Sequence, residues 1–492
     1  MTETAKKKRG MPSSFTILLA LLAIVAVVTV IVSGTSGGAV TAARLSDFCT
    51  APIKGFADAL PVCLFVMILG GFLGMMTETG ALDNGIAVLV QKLKGNEIML
   101  IPVLMLIFSL GGTTYGMCEE TVPFYALLAA TMMAAGFDPM VGAATVLLGA
   151  GCGCLGSTVN PFAVGAAVDA LTGVDIAVNQ SIIIGLGAVL WLVTTVMSIV
   201  FVMNYAKKVK ADKGSTILSM QELKDAEEAH GKAASEVHKE VKLTGRQKGV
   251  LIAFAFTFVV MIVGFIPLAD LNEGVANFFD AGAVYDADGN AVVQGWSALI
   301  TGLPIGQWYF DEASTWFFLM AVLIGIIGGL SEKQIVNTFI TGAADMMSVV
   351  LVIALARGIS VLMANTGLDV YVLDAAANAL AGLSGVIFAP MSFLVYFGLS
   401  FLIPSTSGMA TVSMPIMGPL AVKLGFSPEV MVMIFSAAIG VVNLFTPTSG
   451  DIMGGLALAK IEWTTWLKFA LKLIVALSVV CAVILTVACV LL

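Results

Sequence analysis

A chain of 492 residues with 59% hydrophobic side chains, 11% charged ones and a mean hydropathy of +1.01 is too apolar for a soluble protein, whose surface needs roughly a quarter of its residues charged. The formal net charge of -8 matters less than its distribution, and the chain carries no nucleic-acid signature. What remains is a polytopic membrane protein.

In chain order, apolar runs at 15–33, 59–76, 182–206, 248–267, 314–330, 345–365 and 466–491 each approach the ~17–25 residues that cross a ~30 Å hydrocarbon core as a helix. Continuous runs exclude the alternating pattern of a membrane barrel, so the fold class is all-α. "KKKR" precedes the first run, but its length and its ending in "VSGTSGGAV", without a clear cleavage pattern, mark a retained helix instead of a leader. Lys6, Lys7, Lys8 and Arg9, together with residues 207–248, which hold ten of the 24 basic residues, place the N-terminus and the 207–247 loop in the cytoplasm. Residues 268–313 hold seven acids and no Lys or Arg, and face outward. Both histidines, His230 and His238, lie in the basic loop, which leaves no intramembrane histidine relay and reads as a charged, solvated linker with helical stretches. The seven cysteines, Cys152 and Cys154 between glycines among them, have no zinc or disulfide spacing and read as small packing residues.

The linker separates two halves that resemble each other. "TTYGMCEETVPF" (113–124) aligns without a gap to "STSGMATVSMPI" (405–416), "TGALD" (79–83) to "TGLD" (366–369), and "GFDP" (136–139) to "GFSP" (425–428). "STVNPF" (157–162) and "LFTPTSGD" (444–451) break corresponding apolar runs. Taken from a cytoplasmic N-terminus, the charges put Lys92 and Lys94 inside. They predict a hairpin over about 98–135 entered from the cytoplasm, and a broken helix over about 139–170. In the second half, the hairpin over about 386–424 opens from outside, and the broken helix over about 428–458 reaches Lys460 inside. Corresponding segments thus run in opposite directions, as in an inverted-topology repeat of residues 1–206 and 248–492. Paired interrupted segments point to a midplane transport site, and irregular backbone at that depth has to be buried in protein or line a cavity.

The interruptions supply the candidate ligands. The first tip carries Thr113, Thr114, Glu119 and Glu120, and the first break Ser157, Thr158 and Asn160. The second tip carries Ser405, Thr406, Ser407, Thr411 and Ser413, and the second break Asn443, Thr446, Thr448, Ser449 and Asp451. Hydroxyl, amide and backbone oxygens suit a hard cation such as sodium, while half-helix N-termini suit a carboxylate. Glu119 and Glu120 either line the site, as intramembrane carboxylates do by default, or cap the helix that starts near Thr121. Adjacent glutamates diverge on a helix, so one is expected to face the site. Arg357, within the 345–365 run, costs roughly 2.5–3.5 kcal/mol near a bilayer centre and needs a partner. It can clamp a substrate carboxylate, pair with Glu119, Glu120 or Asp451, or snorkel outward.

"EETVPF", "GFDPMVGAATVLLGAG", "NPF", "ALARGI", "TSGMATVSMPIMGPLA" and "FTPTSG" resemble the YfcC-like branch of the C4-dicarboxylate anaerobic carrier family, in the ion transporter superfamily. The resemblance covers most of the chain outside the linker. It implies a homodimer whose scaffold domain dimerises while a transport domain, holding both hairpins and both broken helices, moves as an elevator. Sodium-coupled relatives carry Ser-Asn-Thr at each tip, where this chain has "TTYG" and "STSG", which leaves sodium and protons both open as the coupling ion.

The expectation is an ion-coupled secondary transporter in the cytoplasmic membrane, not an enzyme, with no cofactor beyond that ion. It would carry a small organic acid, a C4-dicarboxylate or an amino acid or peptide. Substrate contacts would come from Thr113, Thr114, Glu119, Glu120, Asn160, Arg357, Ser405, Thr406, Ser407 and Thr446. Cation contacts would come from Ser157, Thr158, Asn160, Asn443, Thr446, Thr448 and Asp451. A channel-like facilitator for small anions is the alternative; no Walker-type nucleotide loop argues for an ATP-driven pump.

Overall fold

The computed structural model describes residues 14–492 except 83, 86–87, 89–95, 237–241, 267, 269–272 and 287–290. Lys6 to Arg9, Asp83, Lys92, Lys94 and His238 lie outside the described residues, as does the side chain of Glu120. The first half comprises α1 (Ser14–Ser33), α2 (Leu45–Asp58), α3 (Leu60–Glu78), α4 (Leu100–Tyr115), α5 (Val122–Ala134), α6 (Pro139–Leu155), α7 (Ala166–Thr172) and α8 (Gln180–Ala211). The linker contributes α9 (Met220–Glu236). The second half comprises α10 (Gly245–Phe265), α11 (Glu273–Phe279), α12 (Phe310–Gly328), α13 (Glu332–Asp345), α14 (Met347–Thr366) and α15 (Leu368–Leu380). It continues through α16 (Gly385–Leu402), α17 (Thr406–Lys423), α18 (Pro428–Val442), α19 (Gly450–Leu458) and α20 (Trp463–Leu491). A small antiparallel hairpin, β1 (Val284–Tyr285) with β2 (Ala291–Val293), decorates the acidic segment. Among the described residues nine helices are long and apolar enough to cross a membrane.

Of the matched motifs, "GFDP" and "GFSP" adopt the same local structure, whereas the aligned tips differ: Gly116 ends α4 in the left-handed conformation and Gly408 lies within α17. Gly136 after α5 and Gly425 after α17 both take the left-handed conformation, with φ of 87° and 81°, which ends a helix at little cost only for glycine. Two residues on, Asp138 and Ser427 cap the next helices, accepting from the Val141 and Val430 amides at 3.1 and 3.4 Å. Pro139 and Pro428 then occupy the first turn, where a missing N–H costs nothing. "GFDP" and "GFSP" are therefore one stop-and-restart signal used twice. α4 and α5 pack on α6, and α16 and α17 pack on α18. α6 meets α18, α7 packs on α17, and α19 packs on α5, so each broken helix reaches the helix pair of the other half.

A search for long apolar runs passes over α2 and α13, short amphipathic helices whose charges set them apart from those runs. One residue separates each from the long helix that follows, Ala59 before α3 and Met346 before α14. Each packs on the other half: α2 lies on α14, and α13 lies on α3. A Cβ on Gly55 would sit 2.3 Å from the Ala354 carbonyl oxygen, and one on Gly342 would sit 2.4 Å from the Gly70 carbonyl oxygen. Without side chains there, the backbones approach closely, which is how helices gain packing energy where no hydrophobic effect drives them together. The sequences concerned, "GFAD" (55–58) and "GAAD" (342–345), form a further matched pair.

The linker is more than a solvated connection. α9 packs on α5, and Leu218 just before it and Glu222, Ala226 and His230 within it are buried. Glu222 accepts from the Ser219 and Glu462 amides at 2.8 and 3.0 Å, while His230 Nε2 lies 3.1 Å from the Leu458 carbonyl oxygen. The docked face of α9 is therefore mixed, Leu223 and Ala226 beside Glu222 and His230, with the two polar side chains bonded to backbone at Glu462 and Leu458, and the overall charge of the segment conceals it.

Candidate transport site

Interrupting an apolar helix frees backbone groups that lipid cannot satisfy. At the first break the partner is Thr113 in the last turn of α4. Its hydroxyl donates to the Gly156 carbonyl at 2.6 Å, and its carbonyl accepts from the Thr158 amide at 2.8 Å and the Thr158 hydroxyl at 2.9 Å. Ser157 donates to the Cys154 carbonyl at 2.6 Å and accepts from Asn160 Nδ2 at 3.0 Å. At the second break, Trp466 and Trp463 of α20 donate their indole N–H groups to the Leu444 and Phe445 carbonyls at 2.9 and 2.7 Å. Thr446 and Thr448 bond to each other at 2.7 Å. The breaks are thus built features in which the Gly156, Leu444 and Phe445 carbonyls and the Thr158 amide all find partners.

Where the interruptions meet lies a cavity of about 120 Å³. Glu119 comes to it from the turn between α4 and α5, and Asn160 from the first break. Ser405, which caps α17, and Thr406 and Ser407 in its first turn enter from the second half, as do Asn443, Thr448 and Ser449 from the second break and Asp451 from the first turn of α19. α14 contributes Arg357, while Val62 of α3 and Phe310 of α12 supply apolar wall. Gly116, with φ of 79°, has to be glycine twice over: its conformation is left-handed, and a Cβ would lie 2.5 Å from Asn160 Oδ1.

Of the substrate candidates, Glu119, Asn160, Arg357, Ser405, Thr406 and Ser407 line this cavity. Thr113, Thr114 and Thr446 do not; Thr113 ties the first tip to the first break, and Thr114 donates to the Leu110 carbonyl at 2.6 Å within its own helix. Of the cation candidates, Asn160, Asn443, Thr448 and Asp451 line it, whereas Ser157, Thr158 and Thr446 spend their hydroxyls on the breaks themselves. Asn160 Oδ1 accepts from the Phe162 amide at 2.9 Å, leaving that residue a structural duty as well. Asp451 accepts from the Ser449 hydroxyl. Asn443 Oδ1 is buried, and no described residue donates to it; such an acceptor costs about 1–3 kcal/mol unless something binds it.

Among the described residues Arg357 pairs with neither Glu119 nor Asp451, and the side chain of Glu120, the third partner proposed, lies outside them. The Arg357 guanidinium lies 3.7 Å from Asp58, the last residue of α2, which only the packing of α2 on α14 brings near. Reading the cysteines as packing residues missed Cys118 and Cys154, which both line the cavity with their sulfurs 3.3 Å apart. Their only sequence signal is position, one beside Glu119 and one just before the first break.

Long apolar helices, two helix breaks and a charged cavity between them define a multi-pass membrane carrier for a small molecule. Over residues 35–490 the chain belongs to the DcuC family, C4-dicarboxylate anaerobic carriers. It is 28% identical over 445 residues to an uncharacterized protein of Haemophilus influenzae, covering 90% of this chain and 78% of that one. It is 27% identical over 440 residues to an Escherichia coli protein named "Putative basic amino acid antiporter YfcC", covering 87% and 77%. Among solved structures it is similar to the Alcanivorax borkumensis YdaH transporter, with 16% identity, coverage of 97% and 98%, and a TM-score of 0.46.

Proposed function

We propose that the chain is an ion-coupled secondary transporter of a small zwitterionic or anionic solute, an amino acid in preference to a dicarboxylate, working by alternating access in the cytoplasmic membrane. The observation that carries this reading is the convergence of Glu119, Asp451 and Arg357 on one cavity beside the N-terminus of α17. A substrate carboxylate fits Arg357 and the N–H groups at that helix start, where the helix dipole favours negative charge. A substrate ammonium group fits Glu119 and Asp451. The name of the Escherichia coli relative, a basic amino acid antiporter, is compatible with two acids facing one cation. Sodium or a proton would be the coupling ion: Asn443 Oδ1, Thr448 and Asp451 offer hard oxygen ligands, and the two carboxylates offer proton acceptors.

In this reading, α4–α5 and α16–α17 are re-entrant hairpins of an inverted repeat, and together with the broken helices they move as an elevator against a dimeric scaffold. The N-terminus and the 207–247 loop are cytoplasmic. Uptake by proteoliposomes tests the function. A panel of labelled amino acids and dicarboxylates is offered with sodium and proton gradients imposed separately. Saturable uptake of one class, driven by one gradient and lost in Arg357→Ala, is the expected result. Flux that ignores both gradients and shows no counterflow overturns it in favour of a channel.

A further inference from the structure

We propose that a second cavity, of about 740 Å³, is the passage joining the polar cavity to one membrane face, and that a thin apolar cluster between the two is its gate. The inference rests on the transport reading of the polar cavity. The larger cavity is lined by Thr77 and Glu78 of α3, Thr341 and Asp345 of α13, Pro123 of α5 and Lys460 after α19. It lies at the face that carries the linker, because Leu458 borders it and the Leu458 carbonyl is the group that His230 of α9 approaches.

Two helices run from one cavity to the other. On α14, Ser348 lines the large cavity and Ile353 the polar one, about 7.5 Å apart along the axis at 1.5 Å per residue. On the α5 side, Glu119 lines the polar cavity and Pro123 the large one. Between them Val62, Val122, Met346, Val349, Val350 and Ile353 pack as a buried cluster separate from the main core. Val62 and Ile353 form wall of the polar cavity, and Met346 forms wall of the large one. The partition is therefore about one layer of side chains deep. These six side chains carry no polar group, and the one polar side chain of the same cluster, Cys63, has its thiol on the Val350 carbonyl at 3.9 Å; an apolar constriction blocks ions and polar solutes by staying dry.

The repeat gives an independent reason to treat the cavities as two ends of one route. Asp58 closes α2 and Asp345 closes α13, at the ends of the matched "GFAD" and "GAAD" stretches. Asp58 reaches Arg357 beside the polar cavity, and Asp345 opens into the large cavity. Equivalent carboxylates of the two halves thus stand at opposite ends of the partition. Gly70, at the position after Asp58 that Arg357 occupies after Asp345, lines the large cavity.

Single cysteines introduced by Ser348→Cys and Ile353→Cys in the full-length chain test this in sealed vesicles of known orientation. A membrane-impermeant maleimide is applied to either face, and modification at each position is read by peptide mass spectrometry. Ser348→Cys is expected to label from the linker face alone. Ile353→Cys is expected to label from that face at least about tenfold more slowly, and to approach the Ser348→Cys rate once Val122→Ala and Val350→Ala thin the gate. Unchanged labelling of Ser348→Cys in that background certifies the fold. Should the double variant lose it, Val350→Thr, which wets the gate with little change of volume, has to give the same acceleration. Protection of Ser348→Cys from the linker face, or slow labelling of Ile353→Cys whatever the gate, overturns the proposal. No transported solute is needed, so absent uptake with this labelling pattern sinks the transport reading, whereas uptake without the pattern sinks the gate.

Discussion

The Arg357 guanidinium lies 3.7 Å from the Asp58 carboxylate, with the two side chains 28% and 50% exposed. An ion pair this open contributes ~0–1 kcal/mol, so a substrate carboxylate can displace Asp58 from the guanidinium. Asp58→Asn is expected to preserve folding and to lower the half-saturation concentration for a carboxylated solute severalfold. Arg357→Lys keeps the charge but loses the planar fork, and should reduce uptake by about tenfold or more. Concentration-dependent uptake checks both. Wild-type uptake by Arg357→Lys would mean that charge alone is used there.

Glu119 and Asp451 come from opposite halves and line one cavity, so each bears on how the other is solvated. Replacing either by its amide removes a charged acceptor, and hydrogen bonds to charged groups are worth about 1.5–3 kcal/mol, or roughly 10–150-fold in affinity. Glu119→Gln and Asp451→Asn are each expected to lose that much affinity for a solute bearing an ammonium group, and much less for a plain dicarboxylate. Binding measured by scintillation proximity separates the two. Equal losses for both solute classes would assign the carboxylates to the coupling ion instead.

The glycine crossings predict a stability effect remote from transport chemistry. Gly55→Val and Gly342→Val force a side chain against backbone at 2.3 and 2.4 Å, which backbone cannot yield without moving a helix. Overpacking of this kind costs typically ~1–3 kcal/mol or more. Both variants should melt well below wild type in detergent, while Gly185→Ala, with open space around its Cβ position, should not. Normal melting of Gly55→Val would show that α2 does not sit tightly on α14.

Burial lowers the affinity of His230 for a proton below the ordinary 6.5, with nearby Lys460 acting in the same direction and the Leu458 carbonyl against it. An undocked imidazole binds its proton near 6.5, the docked one only at lower pH. Docking of α9 is therefore at full strength above about pH 6.5 and weakens as the pH falls through and below it. Hydrogen exchange in α9, corrected for intrinsic rates, should accelerate on going from about pH 7.5 to about pH 5.5. His230→Gln should flatten that dependence.

Much of the architecture was legible in one dimension, and the reason is physical. A bilayer imposes a length and an apolar composition on every crossing, so the long helices are visible as runs. Helix termination imposes glycine, proline and capping residues at stated positions, so "GFDP" and "GFSP" could be matched and then take the same conformation. The breaks needed polar residues, and the ones singled out do stand at them.

Other features depend on which helices touch. α2 and α13 are short, charged and flanked by apolar runs, and only their packing on α14 and α3 shows what "GFAD" and "GAAD" share. That same packing gives Arg357 its partner, since Asp58 and Arg357 lie almost three hundred residues apart and neither carries a local signal for the other. Hydroxyl side chains at a helix break read alike in sequence, whether they face a cavity, as Thr448 does, or satisfy the broken backbone, as Thr113 and Thr158 do. A threonine can serve either end, and the choice is made by the carbonyl that three-dimensional folding places 2.6 Å from its oxygen.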